Sequence, residues 1–574
     1  MYISNVHIEN FRNFTNIDVP LKQFSILIGK NDTGKSNLIE AVNILLYNSR
    51  LNYYAKSLSK YDFNATAVKN YEDKMIATYA SQSSNFDIDA FLTVLLENAP
   101  RIVIKLRFED ARSPYERGLL KSWLNGDQEC QYFEIEYKYF LKNHSKLRTK
   151  LLKLREAGIV DDYCCKFPLI IDYYDYDLVS TNNEKSIDFT KIKNFCANLI
   201  NAERDAFSGS DAAMSTRVIA KILDDSLSVK DHTDLVRRYD KFFDEIQGLD
   251  SFRSIYKDIT EQNDSISRFI EEIKLSPNAK KYRDILENIT LSYGSDMLFQ
   301  RGLGTRNLVL LLTLYSYFVK GNNERFNLVC IEEPEAHLDI NNLKVAIEFF
   351  QKSKDRSTMV QLIISTHNNQ IINKLDLNNV TIINNDHNAI NVGSVGAELV
   401  YYLAKRENFD TLNLMFSSRV VLVEGATEEL YINTLLQKDK ISNVRIISIG
   451  QKGFKTFIEI WKAIHSADTC DKLGVIRDYD FQDKAKSEHE AYNSTSVCVK
   501  TASGKEFESD FVSEGNNLEL LNHLFSQKFS AVQMYDYMTS DKLVNIIRVC
   551  KSIDDGVSFV IPTYIKSVLE WIKV

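Results

Sequence analysis

Cysteine is scarce and unpatterned. The 574 residues hold eight, with no Cys-x-x-Cys and none of the Cys/His spacings that bind zinc. The adjacent pair Cys164–Cys165 is poorly placed to bridge, so reduced, buried thiols of a cytoplasmic protein are the expectation. Proline is scarce too: seven in all, none between Pro168 and Pro277 and none between Pro334 and Pro562. Membrane-length apolar runs are missing. The most apolar stretch, NLVLLLTLYSYFV at 307–319, falls short of the roughly twenty residues that cross a bilayer and reads as a core helix. The opening MYISNVHIENFRNF has no charged-then-apolar leader pattern. A cytoplasmic chain with no membrane association is expected. Positive charge is not in excess either. The formal net charge is −8, so any nucleic-acid site must be a local basic patch. No internal repeat and no low-complexity tract is present. What is there, 44% apolar and 26% charged residues, is ordinary for a globular protein, and the length predicts about two to four domains.

The proline-poor intervals organise the chain. In the first, Leu235, Tyr239, Phe242, Ile246 and Leu249 form a heptad seam, which Ile266, Ile270 and Ile273 continue. A helical hairpin or dimerising arm is one reading. An amphipathic helix pair packed on its own domain is the other. In the second interval short apolar runs (NLVCI, VQLIIS, VVLV, VRIISI, LGVIRD) alternate with helix-like segments, the pattern of an α/β fold.

Residues 24–46 carry the first chemical motif. Gly29-Lys30-Asn31-Asp32-Thr33-Gly34-Lys35-Ser36 is a complete G-x-x-x-x-G-K-[ST] between an apolar strand and a helix. Gly29, Asn31 and Gly34 belong to the loop that curls backbone N–H groups around phosphate. Lys35 would reach the β- and γ-phosphates, and Ser36 would bind Mg²⁺. NLVCIEEPEAHLD at 327–339 then delivers Glu332 and Glu333 at a strand end. Two adjacent acids repel unless a cation is near, so Glu332 is read as holding the Mg²⁺ water shell and Glu333 as orienting the attacking water. VQLIISTHNN at 360–369 ends a further strand at His367, placed to sense the γ-phosphate. ATP with Mg²⁺ is the expected ligand.

A second site lies further on. VVLVEGATEEL at 420–430 ends a buried strand in Glu424 and starts a helix carrying Glu428. LGVIRDYD ends a later strand in Asp478 and Asp480, and one intervening residue in an extended chain puts both side chains on one side. Four carboxylates at the ends of neighbouring parallel strands lie where open α/β sheets bind ligands. They need cations, and hard oxygen donors suit Mg²⁺ or Mn²⁺. Two such ions can hold the attacking and leaving oxygens of a phosphodiester. Lys452 and Lys455, after Gly450, are candidates for holding a DNA backbone or are simply solvated charges.

The first set of motifs, with PEAHLD and the glycine-rich QRGLGTRN at 300–307, resembles the ATP-binding-cassette ATPases of the SMC/RecF type. Such heads sandwich ATP against a Leu-Ser-Gly-Gly signature. Here Gly302, Gly304 and Thr305 stand in its place, beside Arg301 and Arg306, which leaves ATP binding expected and hydrolysis or mere sensing open. The second set resembles a Toprim domain. An SMC-like head followed by Toprim resembles the OLD (overcoming lysogenisation defect) nucleases, of Gabija-type or retron-associated kind. The resemblance implies residues 1–165 and 286–405 as the two parts of an ABC-type ATPase, 166–285 as a helical insertion, and 415–574 as the Toprim domain. It implies an ATP-regulated, metal-dependent DNA endonuclease of anti-phage defence. It also implies a homo-oligomer, dimer or tetramer, working with a helicase or with a retron reverse transcriptase and its RNA–DNA. It carries over two further residues, Glu508 as an acid assisting one metal and Lys542 as a cation near the scissile phosphate. The alternative is an SMC/RecF-like ATP-driven DNA-binding scaffold with an inactive Toprim fold. A topoisomerase or primase is disfavoured, since neither a catalytic tyrosine context nor a zinc motif is found. DNA specificity and nicking against double-strand cleavage are not legible in the residues.

Overall fold

The computed structural model describes residues 1–46, 58–81, 87–125, 132–157, 171–182, 184–200, 220, 222–224, 226–251, 254, 286, 291–320, 325–336, 338–353, 359–368, 376–384, 388–394, 411–450, 453–465 and 471–573. The fold is mixed α/β, as the alternating pattern predicts. Its larger unit comprises Met1–Leu199, Glu324–Glu333 and Lys354–Val574, and its smaller unit Ile200–Asn323 and Pro334–Ser353.

Three sheets build the larger unit. The first is antiparallel, with Phe14–Pro20, Tyr2–Phe11, Ile102–Glu109 and Tyr132–Leu141 side by side, and Leu124–Asn125 and Tyr174–Ser180 both pairing with Tyr132–Leu141. The second runs Ala389–Asn391, Val380–Ile383, Phe24–Ile28, Val360–Thr366, Phe326–Glu332 and Phe195–Ile200. Its central four strands are parallel. All five residues of Phe24–Ile28 are buried, which is why FSILI shows no polar alternation: both of its faces are covered. The third sheet is wholly parallel, in the order Arg445–Ser448, Arg419–Val423, Lys472–Arg477, Val497–Thr501.

One core joins the first two sheets. Phe108, Trp123, Phe195 and Phe326 interlock there, with ring centroids 4.6 Å apart for Trp123–Phe195 and 5.4 Å for Phe108–Phe195. A polar tie adds direction to this packing. Gln361 is fully buried within the strand Val360–Thr366. Its amide accepts from the Ile3 N–H at 2.8 Å and donates to the Ile3 and Lys22 carbonyls at 2.8 and 3.0 Å. Ile3 can offer both groups because the pairing of Tyr2–Phe11 with Ile102–Glu109 is irregular between Ile3 and Asn5, a β-bulge. A glutamine side chain thus completes a ladder that the backbone leaves open.

In the smaller unit NLVLLLTLYSYFV lies in the helix Leu303–Lys320, which packs on Ile340–Ser353 through Tyr315 and Phe350 (centroids 4.8 Å). Val229–Gln247 is a helix capped by Ser228, and carries the first part of the heptad seam. Phe242 on this helix and Leu249 just past its C-cap Gly248 are 53% and 56% exposed. Ile266, Ile270 and Ile273 lie outside the described residues. Among the described residues no helix is long and apolar enough to cross a membrane.

Replacing Gln361 by Leu strands the buried Ile3 N–H and carbonyl, each costing about 1–3 kcal/mol, and leaves the Lys22 carbonyl with the Ser25 hydroxyl alone. Gln361→Leu is therefore expected to destabilise the fold by on the order of 3–5 kcal/mol, read as a lower denaturation midpoint. An unchanged midpoint would show that the amide tie contributes nothing.

Candidate functional site

Strand register gathers the nucleotide motifs. Ile28 pairs with Thr366, and Glu332 with Ser365, so the strand ends carrying Gly29, His367 and Glu333 emerge side by side. The Glu333 N–H donates to the Ser365 carbonyl at 2.9 Å. Glu333 adopts a left-handed φ of 42°, which turns the chain out of its strand, and its carboxylate lies 3.4 Å from His367 Nδ1. Glu332 is half-buried at the strand end, beside the thiol of Cys330, whose ionisation burial and the Glu332 charge together suppress.

The phosphate loop is already curled. Gly34 has φ 104°, and a Cβ there would meet Phe14 Cζ at 2.4 Å and Asn13 Nδ2 at 2.7 Å, so only glycine fits. Lys35 is buried and donates from Nζ to the Gly29 and Lys30 carbonyls at 2.7 and 2.8 Å. Asn31 and Ser36 are exposed at the loop mouth. Sequence reasoning missed the neighbours. Arg12 and Asn13 form the hairpin turn closed by the Phe11–Phe14 pair. Arg12 pairs with Glu40 and Asp62 and donates to Asn37 Oδ1 at 3.0 Å, and Asn13 donates to the Asp32 carbonyl at 3.2 Å. The available signal was a polar Arg-Asn pair between two aromatic residues.

The acidic site rests on the third sheet. Glu424 follows the strand Arg419–Val423, and Gly425 caps the helix Ala426–Lys438. Glu428 is 5% exposed and turns back to accept from the Gly425 N–H (3.1 Å) and the Thr427 hydroxyl (3.0 Å). Asp478 follows the neighbouring strand Lys472–Arg477. Its N–H donates to Glu424 Oε2 at 3.4 Å, and its Oδ1 accepts the Phe507 N–H at 3.1 Å, at the start of the helix Phe507–Ser513. Glu508 lies on that helix, 2% exposed, with Oε2 accepting from Lys542 Nζ at 3.1 Å and Oε1 buried without a hydrogen-bond partner.

Electrostatics bind these groups together. Burial, then the charges of Glu428, Glu424, Glu508 and Glu506, push the Asp478 carboxyl up to about 9. Burial raises Glu424 as well, with Asp480 and Glu428 adding to it against the Asp478 N–H. Glu508 is raised by burial despite Lys542. Glu506, which the sequence reading passed over, takes Lys542 Nζ at 2.6 Å on one oxygen and the Tyr535 hydroxyl at 2.6 Å on the other. Burial alone would lower Lys542, and the two carboxylates more than reverse it, so it stays a cation. Glu506 stands two residues before Glu508 in GKEFESDF, a spacing that was the available signal.

One expectation is corrected. Asp478 and Asp480 do not share a side through extended alternation, because the strand ends at Arg477 and Asp480 has φ 49°. Its N–H instead donates to the Lys505 carbonyl at 2.9 Å, and the side chain is exposed. The turn that receives it is fixed by Asp510, which accepts the Ser503 and Gly504 N–H groups at 2.7 and 2.6 Å. Among the described residues no three His, Cys, Asp or Glu side chains form a ready ligand cluster, since most of the acids are turned to donors of their own backbone or to Lys542. The donor set is nonetheless all hard oxygen, and the unpartnered Glu508 Oε1 and the suppressed ionisation of Asp478 are what a divalent cation would relieve. Lys455 is paired with Glu488, and Lys452 lies outside the described residues.

Comparison with known proteins agrees with this layout. A family model described as AAA ATPase domain matches residues 1–372, and one described as overcoming lysogenization defect protein-like TOPRIM domain matches residues 415–480. Endonuclease GajA of Bacillus cereus (strain HuB5-5) is 24% identical, over 78% of this chain and 72% of that protein. The same enzyme of Bacillus cereus (strain VD045) is 22% identical, over 76% and 68%. DNA replication and repair protein RecF of Clostridium botulinum (strain Langeland / NCTC 10281 / Type F) is 26% identical, over 49% of this chain and 65% of its own. The chain belongs to the AAA ATPase domain family and carries, behind that domain, a Toprim domain of the overcoming-lysogenization-defect type.

Proposed function

We propose that this protein is an ATP-regulated, divalent-metal-dependent DNA endonuclease acting in anti-phage defence. The observation that carries the reading is the gathering of acids at one sheet edge: Glu424 and Asp478 follow adjacent parallel strands and are linked through the Asp478 N–H, Glu428 lies on the helix that follows Glu424, and Glu508 lies on the helix whose first N–H bonds Asp478. The Toprim match and the relatives named endonuclease support it. Glu424, Glu428, Asp478, Asp480 and Glu508 would hold Mg²⁺ or Mn²⁺, which when bound supplies Lewis acidity to a phosphodiester and a nucleophile at neutral pH. Lys542, kept cationic by Glu506 and Glu508, is suited to face negative charge building on the phosphate. Glu506 and Tyr535 orient that lysine.

The nucleotide site would act as the regulator. Lys35 would exchange its two carbonyl partners for phosphate oxygens, Ser36 and Glu332 would hold Mg²⁺, Glu333 would orient water and His367 would read the γ-phosphate. We take 1–165 with 286–405 as the ATPase part, 166–285 as its helical insertion and 415–574 as the nuclease part. The exposed Phe242 and Leu249 on the seam support self-association into a dimer or tetramer. A separate helicase, or a retron reverse transcriptase with its RNA–DNA, would be the companion.

Asp478→Ala should lower cleavage of plasmid or phage DNA by about a hundredfold or more, because one arm of the metal clamp is lost. Nucleotide affinity should survive in that variant. Wild type that cuts no DNA, with helicase supplied, would favour the scaffold reading instead.

Lys35→Ala removes the cation of the phosphate loop. Nucleotide affinity measured by fluorescence should fall about ten- to a hundredfold, the worth of one or two charge-assisted hydrogen bonds. Equal affinity would locate the nucleotide elsewhere.

Stability should depend on pH and metal in a defined sense. A carboxyl at about 9 in the folded chain and about 3.9 when unfolded holds its proton only in the folded state between those values. The unfolded chain then binds fewer protons, so metal-free stability falls as pH rises from about 4 to about 9. Without nucleotide, added Mg²⁺ should raise the melting temperature, and more so at alkaline pH. Asp478→Asn should flatten the pH slope and shrink the Mg²⁺ shift. An identical Mg²⁺ shift in both proteins would remove Asp478 from the ligand set.

A further inference from the structure

The segment Arg477-Asp478-Tyr479-Asp480-Phe481 carries one feature that the metal chemistry does not use. Phe481 is 72% exposed, among the most exposed large apolar side chains described. It stands one residue after Asp480 and three after Asp478. Its backbone has φ 57°, following φ 49° at Asp480. Two consecutive left-handed residues without glycine are costly, and a bulky aromatic is among the least suited to that region. A hydrophobic ring gains nothing from water, so neither local conformation nor burial accounts for phenylalanine here.

The surroundings hold the ring out. The Gln482 N–H donates to the Tyr479 carbonyl at 2.9 Å and closes the turn, while Asp480 is anchored on Lys505. The half-buried Tyr479 ring meets Phe481 edge to face, with centroids 5.7 Å apart and planes at 68°. Lys486 Nζ lies 5.6 Å from the centre of the Tyr479 ring. Lys484 and Lys505 are exposed on the elements that flank the turn. The tip is therefore an exposed aromatic face, met from one side by Tyr479, with cations beside it and the acid cluster at its foot.

We propose that Phe481, braced by Tyr479, is a stacking platform for an unpaired nucleobase next to the phosphodiester to be cut. A base has an apolar π-face and a flanking phosphate, which match an exposed ring with lysines around it. A paired base inside a duplex hides that face. The platform therefore selects single-stranded, frayed or distorted DNA over intact duplex. This deepens the endonuclease reading and rests on it.

The test uses the full-length chain with Ca²⁺ in place of Mg²⁺, so that a cation neutralises the acids while binding is followed. The probe is a single-stranded oligonucleotide containing 2-aminopurine, compared with the same strand in a duplex. Wild type should quench the 2-aminopurine fluorescence and bind the single strand more tightly than the duplex. Phe481→Ala and Phe481→Leu should both lose the quenching and bind the single strand about tenfold more weakly. Phe481→Trp should keep both. Duplex affinity should change less than twofold in all three. Phe481→Gly, which relieves the left-handed backbone, should melt no lower than wild type.

Equal single-strand affinity and quenching in wild type and Phe481→Ala would overturn the platform while leaving the nuclease intact. A marked loss of melting temperature in Phe481→Gly would make the ring a structural brace and overturn it too. Wild type that binds neither form of DNA would remove the endonuclease reading and the platform with it.

Discussion

Like-charge repulsion among Glu424, Glu428, Asp478 and Glu508 is the constraint around which the C-terminal sheet is organised. Burying one carboxylate is costly, and burying several together is more so. The chain meets this by giving each acid a donor. Glu428 takes the first N–H of its own helix at Gly425, and Asp478 takes the Phe507 N–H at the mouth of another. Glu508 takes Lys542. These donors do not offset the whole cost: burial, then the neighbouring carboxylates, push the Asp478 carboxyl well up. Parallel pairing of Arg419–Val423 with Lys472–Arg477 makes the crowding unavoidable, since both strands deliver their acids to the same edge.

The N-terminal half obeys a different constraint, that of joining an antiparallel sheet to a parallel one. A shared apolar core, with Phe108, Trp123, Phe195 and Phe326 interlocked in it, supplies the adhesion. It does not fix the sliding position, because hydrophobic contact is non-directional. Gln361 does, by matching the buried N–H and carbonyl of Ile3. The strand that bears Gln361 also ends at His367 and neighbours the strand that ends at Gly29. A directional bond at one end of the sheet thus sets the alignment of the motif residues at the other.

Much of this was legible in the sequence, for reasons that differ by residue. The phosphate loop could be read because its glycines answer to local geometry: Gly34 is the residue that its φ and the nearness of Phe14 require. VVLV, VQLIIS and LGVIRD were legible as strands because chains buried on both faces lose polar alternation. Asp480 was placed on the wrong geometric ground, because alternation assumes a strand that has already ended at Arg477. Gln361 carries no local signal in the sequence, since its partner lies 358 positions away. Glu506 and Arg12 were silent for the same reason, as their roles come from Lys542 and from Asp62 and Glu40. Periodicity reports which face is buried, not which distant group completes it.

The bonding of Lys35 to the Gly29 and Lys30 carbonyls has a consequence for ligand discrimination. The cation is already stripped of much of its water and tethered inside the loop. An incoming anion displaces two intramolecular carbonyls, not solvent. A monovalent or compact anion offers too few oxygens to outcompete that chelate. A chain of linked phosphates spans the loop, gathers several N–H groups at once and makes the exchange favourable. On the proposed nucleotide reading, the lysine would act as a plug whose release favours polydentate ligands over small anions.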